Sequence, residues 1–486
     1  MQQMQLDRLR MREELYTRGR MQQRYAALQA ELEQQSAAAR SSRDNSSINR
    51  RASSSSSSNS SSPSRGILIV AGSRDQMSNA LVSIITLQQV LKCTLPIEIV
   101  YYGMKEYDPL TARIIKQYIV ANGGGRVRLI DGTRKQVDLS YHYAGLGAGS
   151  VSNITGFATK VHALAYVTSF QQVLMLDADS LPLLNPEQLF HSEPFAAAGN
   201  LFWPDFWGHL WMDGAFFSKL GQAVPWEQDA PFHSAESGQV LFDRLRHYDV
   251  LEWLFWLNSR SNETYQHMHG DKDTYRLAFG LAGKLAQHRQ VPLQPRDAMA
   301  VVMPPGEMPY LQHQGMVQHT PDERPAFLHR TDKGKLFPHC SAKNSTSDCQ
   351  VSYFTIPLTE GQAMLAMSQP NFTYSYSQVD TRTFEACRTK QRSAGVVVRS
   401  DRPDDPERCP ELKEGLNLQP VPVVPVEAFS QAHRVLYASY VAFDRVKSLL
   451  AKGQQLLADK DRLQQQQQQQ GTATTADRLI RAKKAR

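Results

Sequence analysis

Two aspartates stand at the end of an apolar run in the middle of the chain. The run at 173–176 leads directly into Asp177, and Asp179 follows after one small residue. In extended backbone, residues two apart point to the same side, so these two carboxylates can share one cation. Carboxylate oxygens suit Mg²⁺ or Mn²⁺, and an ion held by two carboxylates keeps open positions that a diphosphate can fill. We therefore predict a metal site at Asp177 and Asp179; two aspartates that cap a strand-end turn are the alternative interpretation.

The segments that must position these aspartates alternate between strand and helix patterns. Short apolar runs that are typical of buried strands lie at 67–71, 97–102, 126–130 and 173–176. Apolar residues at helical spacing lie between them, at 79–91, 108–122 and 159–170. Such alternation predicts an α/β fold of βαβ units around a mostly parallel sheet. Ligands of open parallel sheets bind beyond the carboxyl ends of the strands, where the strand order reverses.

The net charge of +7 is concentrated in the two ends of the chain. Residues 1–65 carry eleven arginines and six acidic residues, and residues 451–486 carry eight basic and three acidic residues. The part between is therefore mildly acidic, which argues against a nucleic-acid partner and its basic groove. We expect no transmembrane helix, because no apolar run approaches the roughly 18 residues that one requires. The first residues also lack the apolar core of a secretory signal.

Several blocks of the central region resemble one family of enzymes. The segments 157–164 and 169–190, together with the blocks at 199–207, 235–239 and 269–274, are similar to glycosyltransferase family 71. These are α-mannosyltransferases of the type-A nucleotide-sugar glycosyltransferase fold, a Rossmann-like, mostly parallel sheet flanked by helices. The likeness covers roughly residues 66–335. It implies GDP-mannose as donor, a glycan acceptor, retention of the α configuration and a divalent metal, usually Mn²⁺ but alternatively Mg²⁺.

The resemblance gives the metal residues more definite roles. It implies that Asp177 contacts the nucleotide ribose or the metal and that Asp179 is a direct metal ligand. His329, in the block at 327–335, would supply the third ligand, and Lys333 and Lys335 would wrap the diphosphate. The spacing departs from the His-x-x-Gly-x-x-Lys element of related families, so the two lysine assignments stay open. The competing histidines are His313, His319 and His339.

Three residues near predicted strand ends and one on a predicted helix are candidates for binding the donor. Gly72 follows the first strand and lets the backbone approach a ligand, and Arg74 could contact a phosphate or the base. Tyr102 ends the second strand and could stack on guanine or pack as a buried strand tyrosine. Lys160 could reach the phosphate or the sugar; a solvated helix lysine is its alternative.

An aromatic block and two isolated acids complete the predicted site. Sugars bind against aromatic faces while carboxylates accept hydrogen bonds from their hydroxyls. This chemistry makes four residues candidates for the acceptor site: Trp203, Asp205, Trp207 and Asp213. The resemblance to retaining enzymes implies that Glu236 and Asp271 are candidate catalytic residues, either of which could stabilise an oxocarbenium-like transition state or bind the mannose. The alternative for Asp271 is a salt bridge with Lys272 or Arg276.

Composition divides the chain into five regions. We expect a helical stem-like segment at 1–40, a Ser-rich disordered linker at 41–64 and the catalytic domain at 65–345. A C-terminal extension that packs on this domain covers 346–450, and a Gln-rich, basic tail covers 451–486. The apolar seam of the first segment spans barely two heptads, which favours a solvated helix over a coiled coil. Its members are Met21, Tyr25, Leu28 and Leu32.

The cellular compartment follows only indirectly. Family 71 members are usually type II membrane proteins of the Golgi, which implies a lumenal chain whose anchor is absent from this sequence; a soluble cytosolic paralogue is the alternative. Six Asn-x-Ser/Thr tripeptides and five cysteines are compatible with the lumen. Our preferred disulfides are Cys340–Cys349 and Cys387–Cys409, against a fully reduced chain. Two other functions stay open, which are the same fold with a UDP-sugar donor and a non-catalytic carbohydrate-binding scaffold.

Overall fold

The computed structural model describes the chain in separate segments. The described residues are 8–9, 12–13, 20–44, 64–122, 126–135, 154–205, 212–228, 232–303, 310–330, 350–355, 376–379, 416–419, 435, 438–439, 442, 445–460, 462 and 464–465. Lys333, Lys335 and Trp207 lie outside them, as do the four cysteines of the preferred disulfides. Cys93, the fifth, is a buried free thiol, and burial raises its pKa to about 12.

A six-stranded sheet forms the centre of the fold. The first seven strands of the chain are β1 (Arg65–Val70), β2 (Ile97–Tyr101), β3 (Val127–Asp131), β4 (Gln172–Asp177), β5 (Ser180–Pro182), β6 (Asn200–Pro204) and β7 (Ala235–Asp243). The strand order of this sheet is β3-β2-β1-β4-β7-β6. Strands β3, β2, β1 and β4 are parallel, whereas β7 runs antiparallel to both β4 and β6. The predicted α/β class is therefore confirmed, with an antiparallel edge that the sequence pattern did not indicate.

Helices cover this sheet and connect its strands. They are α1 (Arg20–Asp44), α2 (Ser73–Ile85), α3 (Pro109–Ala121), α4 (Ala158–His162), α5 (Glu193–Ala198), α6 (Gly214–Lys219), α7 (Pro225–Gln228), α8 (Tyr248–Ser259), α9 (Ser261–Thr264) and α10 (Thr274–Leu281). Wider π-helical turns continue α2 over Thr86–Val90 and α4 over Ala163–Val167. The side chains of β1 alternate between two cores, with Ile67 and Ile69 in one and Leu68 in the other. The sheet is therefore buried on both faces, as expected for near-continuous apolar strands.

A second sheet is connected to the first through the turn between β4 and β5. It contains β8 (Arg296–Met303), β9 (Tyr310–His319), β10 (Pro325–His329) and β11 (Gln350–Thr355), in the order β11-β8-β9-β10-β5. A separate hairpin pairs β12 (Tyr376–Val379) with β13 (Leu416–Gln419). Strand β5 starts immediately after Asp179, and its Ser180 pairs with His329 at the end of β10. This pairing brings a distant histidine to the end of β4.

The N-terminal helix packs on the central fold. Met21, Leu28 and Leu32 are buried, and the Arg24 guanidinium donates a hydrogen bond to Glu252 of α8 at 2.9 Å. The expectation of a solvated helix was therefore wrong, because the apolar side chains of this helix are buried against other segments of the same chain. Its fourth member, Tyr25, stays partly exposed against the ring of Tyr248.

Helical residues near the C-terminus also pack on the central fold. Val435, Ala442 and Val446 are buried in the core that contains Ile67 and Ile69. The hydroxyl of Ser439 lies 3.0 Å from that of Thr86. Among the described helices, none is both long and apolar enough to cross a membrane.

Candidate functional site

Three of the predicted metal ligands converge at the carboxyl end of β4. Asp177 is the last residue of β4, Asp179 lies in the turn before β5, and His329 is the last residue of β10. One potential ligand atom from each lies within 4.8 Å of the other two. The Nε2 atom of His329 is 3.5 Å from Oδ1 of Asp179. Strand β1 pairs with β2 on one side and with β4 on the other, so the strand order reverses between β1 and β4. Open parallel sheets bind ligands at such a point, and the three residues lie there.

The imidazole of His329 is held from its other side by β7. Its Nδ1 atom lies 3.2 Å from Oε1 of Glu236, an ion-pair distance. The same carboxylate oxygen accepts a hydrogen bond from the backbone N–H of Gly238. The ring rests directly on Gly238, since a Cβ atom at that position would lie 2.6 Å from Nδ1. A histidine that ligates a metal through one ring nitrogen is commonly oriented by a carboxylate at the other. Glu236, predicted as a catalytic residue, is thus placed to orient the histidine.

Lys160 is buried among the acids of the site. Its Nζ atom lies 3.1 Å from Asp177 and 3.4 Å from Oδ1 of Asp271, and it donates a hydrogen bond to the hydroxyl of Ser237 at 2.9 Å. The lysine side chain is only 9% exposed, so the alternative of a solvated helix lysine was wrong. Burial acts to lower the pKa of Lys160, but the neighbouring carboxylates outweigh it and raise this pKa. The ammonium therefore compensates a charge cluster that would otherwise be strongly unfavourable.

Asp271 offers one carboxylate oxygen that has no partner among the described residues. Its Oδ1 atom accepts a hydrogen bond from Ser237 at 3.0 Å, whereas the buried Oδ2 atom accepts none. Burial raises the pKa of Asp271, and Lys160 opposes that effect. The alternative salt bridge with Lys272 is not formed, because Lys272 pairs with Asp205 instead. A buried acceptor without a donor is where a hydroxyl of a bound molecule would be accommodated.

The acids of the site differ in pKa because their surroundings differ. Burial raises the pKa of Asp177 to about 6, against the lowering effect of Lys160. Burial acts in the same direction on Glu236, but His329, Lys272 and Lys160 outweigh it and lower its pKa to about 2. The cluster keeps an anionic carboxylate against His329. Its donor set of two carboxylates and an imidazole fits a divalent ion, and the imidazole favours Mn²⁺ over Mg²⁺.

The predicted acceptor residues lie in three different environments. Trp203 is fully buried and donates its indole N–H to the carbonyl of His319 at 2.7 Å, so its assignment to a sugar-binding surface was wrong. Asp205 is also buried, in the ion pair with Lys272. Asp213 accepts a hydrogen bond from the backbone N–H of Ala215 at the start of α6 and stays partly exposed.

The predicted donor residues of the first two strands have mainly structural contacts. Arg74 is half exposed and pairs with Asp108 at 3.1 Å. Tyr102 is buried and donates its hydroxyl hydrogen to the carbonyl of Thr159 at 2.9 Å, which favours the second of its two interpretations. A Cβ atom at position 72 would lie 2.5 Å from the carboxylate of Glu106, so the glycine allows Glu106 to approach the backbone closely.

Ser237 and Gly238 are site residues that the sequence did not reveal. Both lie within the block at 235–239 that carries the family resemblance, but neither residue type signals chemistry. The contact of Gly238 with His329 depends on the antiparallel placement of β7 beside β4, and no local pattern indicates it.

Comparisons with known proteins agree with the sequence blocks. The mannosyltransferase family model Mannosyl_trans3 matches residues 64–214 and 224–319. The alpha-1,2-mannosyltransferase MNN21 of Candida albicans is 31% identical in an alignment of 260 residues, and the match covers 45% of this chain and 38% of that protein. The alpha-1,2-mannosyltransferase MNN5 of Saccharomyces cerevisiae is 25% identical in an alignment of 174 residues, and the match covers 25% of this chain and 29% of that protein.

A solved structure is also similar over part of the fold. The mannosyltransferase Ktr4p from S. cerevisiae in complex with GDP has a TM-score of 0.30 and 9% identity, over 47% of this chain and 69% of that one. The matched region spans less than two fifths of the length of the two curated relatives. The family model, in contrast, matches about half of this chain. The chain therefore belongs to the mannosyltransferases of glycosyltransferase family 71.

Proposed function

We propose that the chain is a metal-dependent retaining α-mannosyltransferase that moves mannose from GDP-mannose to a glycan acceptor. One observation carries this proposal: Asp177, Asp179 and His329 form a cluster of metal-ligand type at the point where the strand order reverses. In a chain of this family, such a cluster is suited to hold a divalent ion against a sugar nucleotide.

The three residues would hold Mn²⁺ or Mg²⁺. When bound, the ion supplies Lewis-acid stabilisation of the negative charge that develops on a departing diphosphate. Glu236 acts through His329, because its carboxylate fixes the orientation of the imidazole.

Lys160 and Asp271 would serve the sugar side of the reaction. Lys160 holds Asp177 and Asp271 at fixed positions through its buried ammonium group. The Oδ2 atom of Asp271, which has no hydrogen-bond donor among the described residues, is available to a sugar hydroxyl or to the positive charge that develops at the anomeric carbon. Much of the rate enhancement would come from such prearranged charges.

A donor-hydrolysis screen tests this function. Purified protein is incubated with GDP-mannose, UDP-glucose, UDP-galactose or UDP-xylose in the presence of Mn²⁺, with a chelator control. We expect release of GDP from GDP-mannose only when the metal is present. Faster hydrolysis of a UDP-sugar would instead establish the same fold with another donor, and hydrolysis of no donor would favour the carbohydrate-binding scaffold.

The donor base provides an independent measurement. Guanine presents N1–H and N2–H₂ donors together, which uracil does not, and a site built to accept them rejects a base that lacks them. We expect GDP to bind at least ~10-fold more tightly than UDP, since one unmade buried hydrogen bond costs ~1–3 kcal/mol. Calorimetric titration with Mn²⁺ present measures both affinities. Tighter binding of UDP would overturn the GDP-mannose assignment while keeping the metal residues in their roles.

We further propose residues 65–345 as the catalytic domain and the Golgi lumen as its compartment, as the family resemblance implies. Asn262 is an exposed acceptor asparagine in the described part of the chain. Mass spectrometry of the native protein should detect glycan at one or more of the six tripeptides. Six bare asparagines would argue for the cytosol.

A further inference from the structure

Phe157 is an exposed aromatic side chain next to the acidic cluster. It is 49% exposed and immediately precedes α4, the helix that carries Lys160. The centroid of its ring lies 5.9 Å from the Nζ atom of Lys160. An exposed phenylalanine is unremarkable by itself, but its position beside buried catalytic candidates is specific.

The ring of Phe157 is held in place by the segment at 265–270. Gly270 has φ +68°, and a Cβ atom there would come within 3.0 Å of the phenylalanine ring. The rings of Tyr265 and His269 each have their centroids 6.2 Å from that of Phe157. One part of the ring is therefore fixed by a glycine and two aromatic neighbours, while the rest faces solvent.

The same segment connects the ring of Phe157 to Asp271. Gly270 directly precedes Asp271, whose Oδ2 atom is buried without a hydrogen-bond donor in the described part of the chain. Lys160 links the two features, because its Nζ atom lies 3.4 Å from Asp271 and near the ring of Phe157. A flat apolar surface and a hydrogen-bond acceptor thus occur side by side.

A hexopyranose matches this combination. One face of its ring presents C–H groups that pack against an aromatic ring, and its hydroxyls donate hydrogen bonds to carboxylates. We propose that Phe157 is the stacking platform for the acceptor mannose, with Asp271 accepting a hydroxyl from the same region. This inference rests on the proposed function and deepens it by assigning an acceptor subsite.

The position of Phe157 favours the acceptor over the donor sugar. The diphosphate side of the site is defined by Asp177, Asp179 and His329. Lys160 neighbours both features, because its ammonium lies 3.1 Å from Asp177 and 5.9 Å from the centroid of the phenylalanine ring. The ring of Phe157 itself packs against Tyr265 and His269, so we assign the sugar stacked on it to the group that receives the mannose.

Binding and kinetics of Phe157 variants test this assignment. The binding probe is an α-linked mannobiose, titrated by saturation-transfer NMR in the presence of Mn²⁺ and GDP. The Phe157→Ala variant should raise the dissociation constant of the mannobiose about tenfold, as expected for loss of a stacked aromatic contact. Phe157→Trp should retain binding, and Phe157→Leu, which keeps apolar area without a flat face, should behave like the alanine variant. Tyr25→Ala removes a partly exposed ring from α1 and serves as the matched control.

The kinetic arm separates this inference from the proposed function. With GDP-mannose as donor, Phe157→Ala should raise KM for the mannobiose about tenfold and leave metal-dependent donor hydrolysis within about twofold of wild type. An unchanged KM and dissociation constant would overturn the platform, as would a wild-type protein that binds no mannobiose. A raised KM for the donor with an unchanged acceptor KM would move Phe157 to the donor sugar and overturn the acceptor assignment. Absence of donor hydrolysis in the wild type rejects the proposed function, while the NMR titration still decides whether Phe157 binds the saccharide.

Discussion

The two parts of the central fold use strand-end polar residues in different ways. In the parallel part, residues 64–135, the polar side chains that follow the strands pair with one another: Arg74 with Asp108, and Asp131 with the backbone and hydroxyl of Thr133. In the later part, residues 154–330, the half-buried side chains at the end of β4 meet the buried charged groups of Lys160 and His329, which come from other segments. Both parts therefore carry polar residues at the carboxyl ends of strands. In the described residues of the later part, these side chains belong to a cluster of opposite charges that compensate one another.

Two pairs of a basic residue with an aspartate illustrate the difference in energy. The Arg74 side chain is 46% exposed in its pair with Asp108, whereas the Lys160 side chain is 9% exposed in its pair with Asp177. An exposed pair contributes about 0–1 kcal/mol to stability, because water and salt screen it. Removal of one partner from a buried pair costs about 3–5 kcal/mol, because the remaining charge is left without compensation. We expect the two parts of the molecule to respond very differently to equivalent substitutions.

The largest effect is expected at the metal cluster. Asp179→Ala should reduce mannosyl transfer at least about 1000-fold, because the variant removes a proposed ligand of the ion that stabilises the leaving group. Its melting temperature should stay close to that of the wild type, since the carboxylate adds little apolar packing. Asp75→Ala, at an exposed aspartate in the first turn of α2, is the control in the parallel part. Near wild-type turnover in folded Asp179→Ala would mean that the residue is no metal ligand.

Lys160→Met sharpens the comparison of the two ion pairs. The variant keeps the aliphatic chain but removes the ammonium that faces Asp177 and Asp271, so the free energy of unfolding at neutral pH should fall by about 3–5 kcal/mol. Arg74→Met should change it by less than about 1 kcal/mol. Urea unfolding followed by circular dichroism measures both. Equal losses in the two variants would show that burial does not distinguish the pairs.

Gly238→Ala probes how the histidine is held. The added methyl group would meet the imidazole of His329, so the ring must leave its position beside Asp179 and Glu236. We expect a 10- to 100-fold loss of Mn²⁺ affinity, about the effect seen when the support of a metal-ligating histidine is disturbed. In Gly280→Ala, the new methyl would meet only the end of the Gln222 side chain, and metal affinity should be unchanged. Calorimetric titration with Mn²⁺ gives both values, and unaltered binding in Gly238→Ala would remove Gly238 from the site.

The sequence predicted the parallel part of the fold more completely than the later part, which contains the antiparallel strand β7. The strands at 67–71 and 97–102 lie within a residue or two of the observed β1 and β2, because alternating strand and helix patterns are local properties. The reversed direction of β7 and the burial of Trp203 depend on pairing between distant segments. The polar residues next to Trp203 in the sequence suggested a sugar-binding surface, but Trp203 lies in β6, a strand whose residues are all buried.

The residues of the candidate site also divide into those that local sequence patterns predicted and those that depend on contacts between distant segments. Asp177 and Asp179 could be predicted because both lie at the end of one strand. Side chains that are two residues apart in extended backbone point to the same side. His329 required the family resemblance, since its approach depends on the pairing of β10 with β5. Gly238 and Phe157 were missed because their significance lies in what they contact. Residue type and spacing alone do not encode such contacts.

The smallest expected effect concerns Tyr102, where the sequence left two interpretations open. The buried hydroxyl donates to the carbonyl of Thr159 and lies 2.8 Å from Nδ1 of His162, so its loss in Tyr102→Phe should cost about 1 kcal/mol of unfolding free energy. The KM for GDP-mannose should stay within about twofold of wild type, because the ring is buried against the fold and Phe retains it. Tyr102→Leu removes the aromatic face as well and should lower stability further, again without a change in donor KM. A severalfold rise in donor KM in the leucine variant, with little loss of stability, would return Tyr102 to the nucleotide site. The parallel part would then contribute directly to donor binding, and its difference from the later part would be smaller than its contacts indicate.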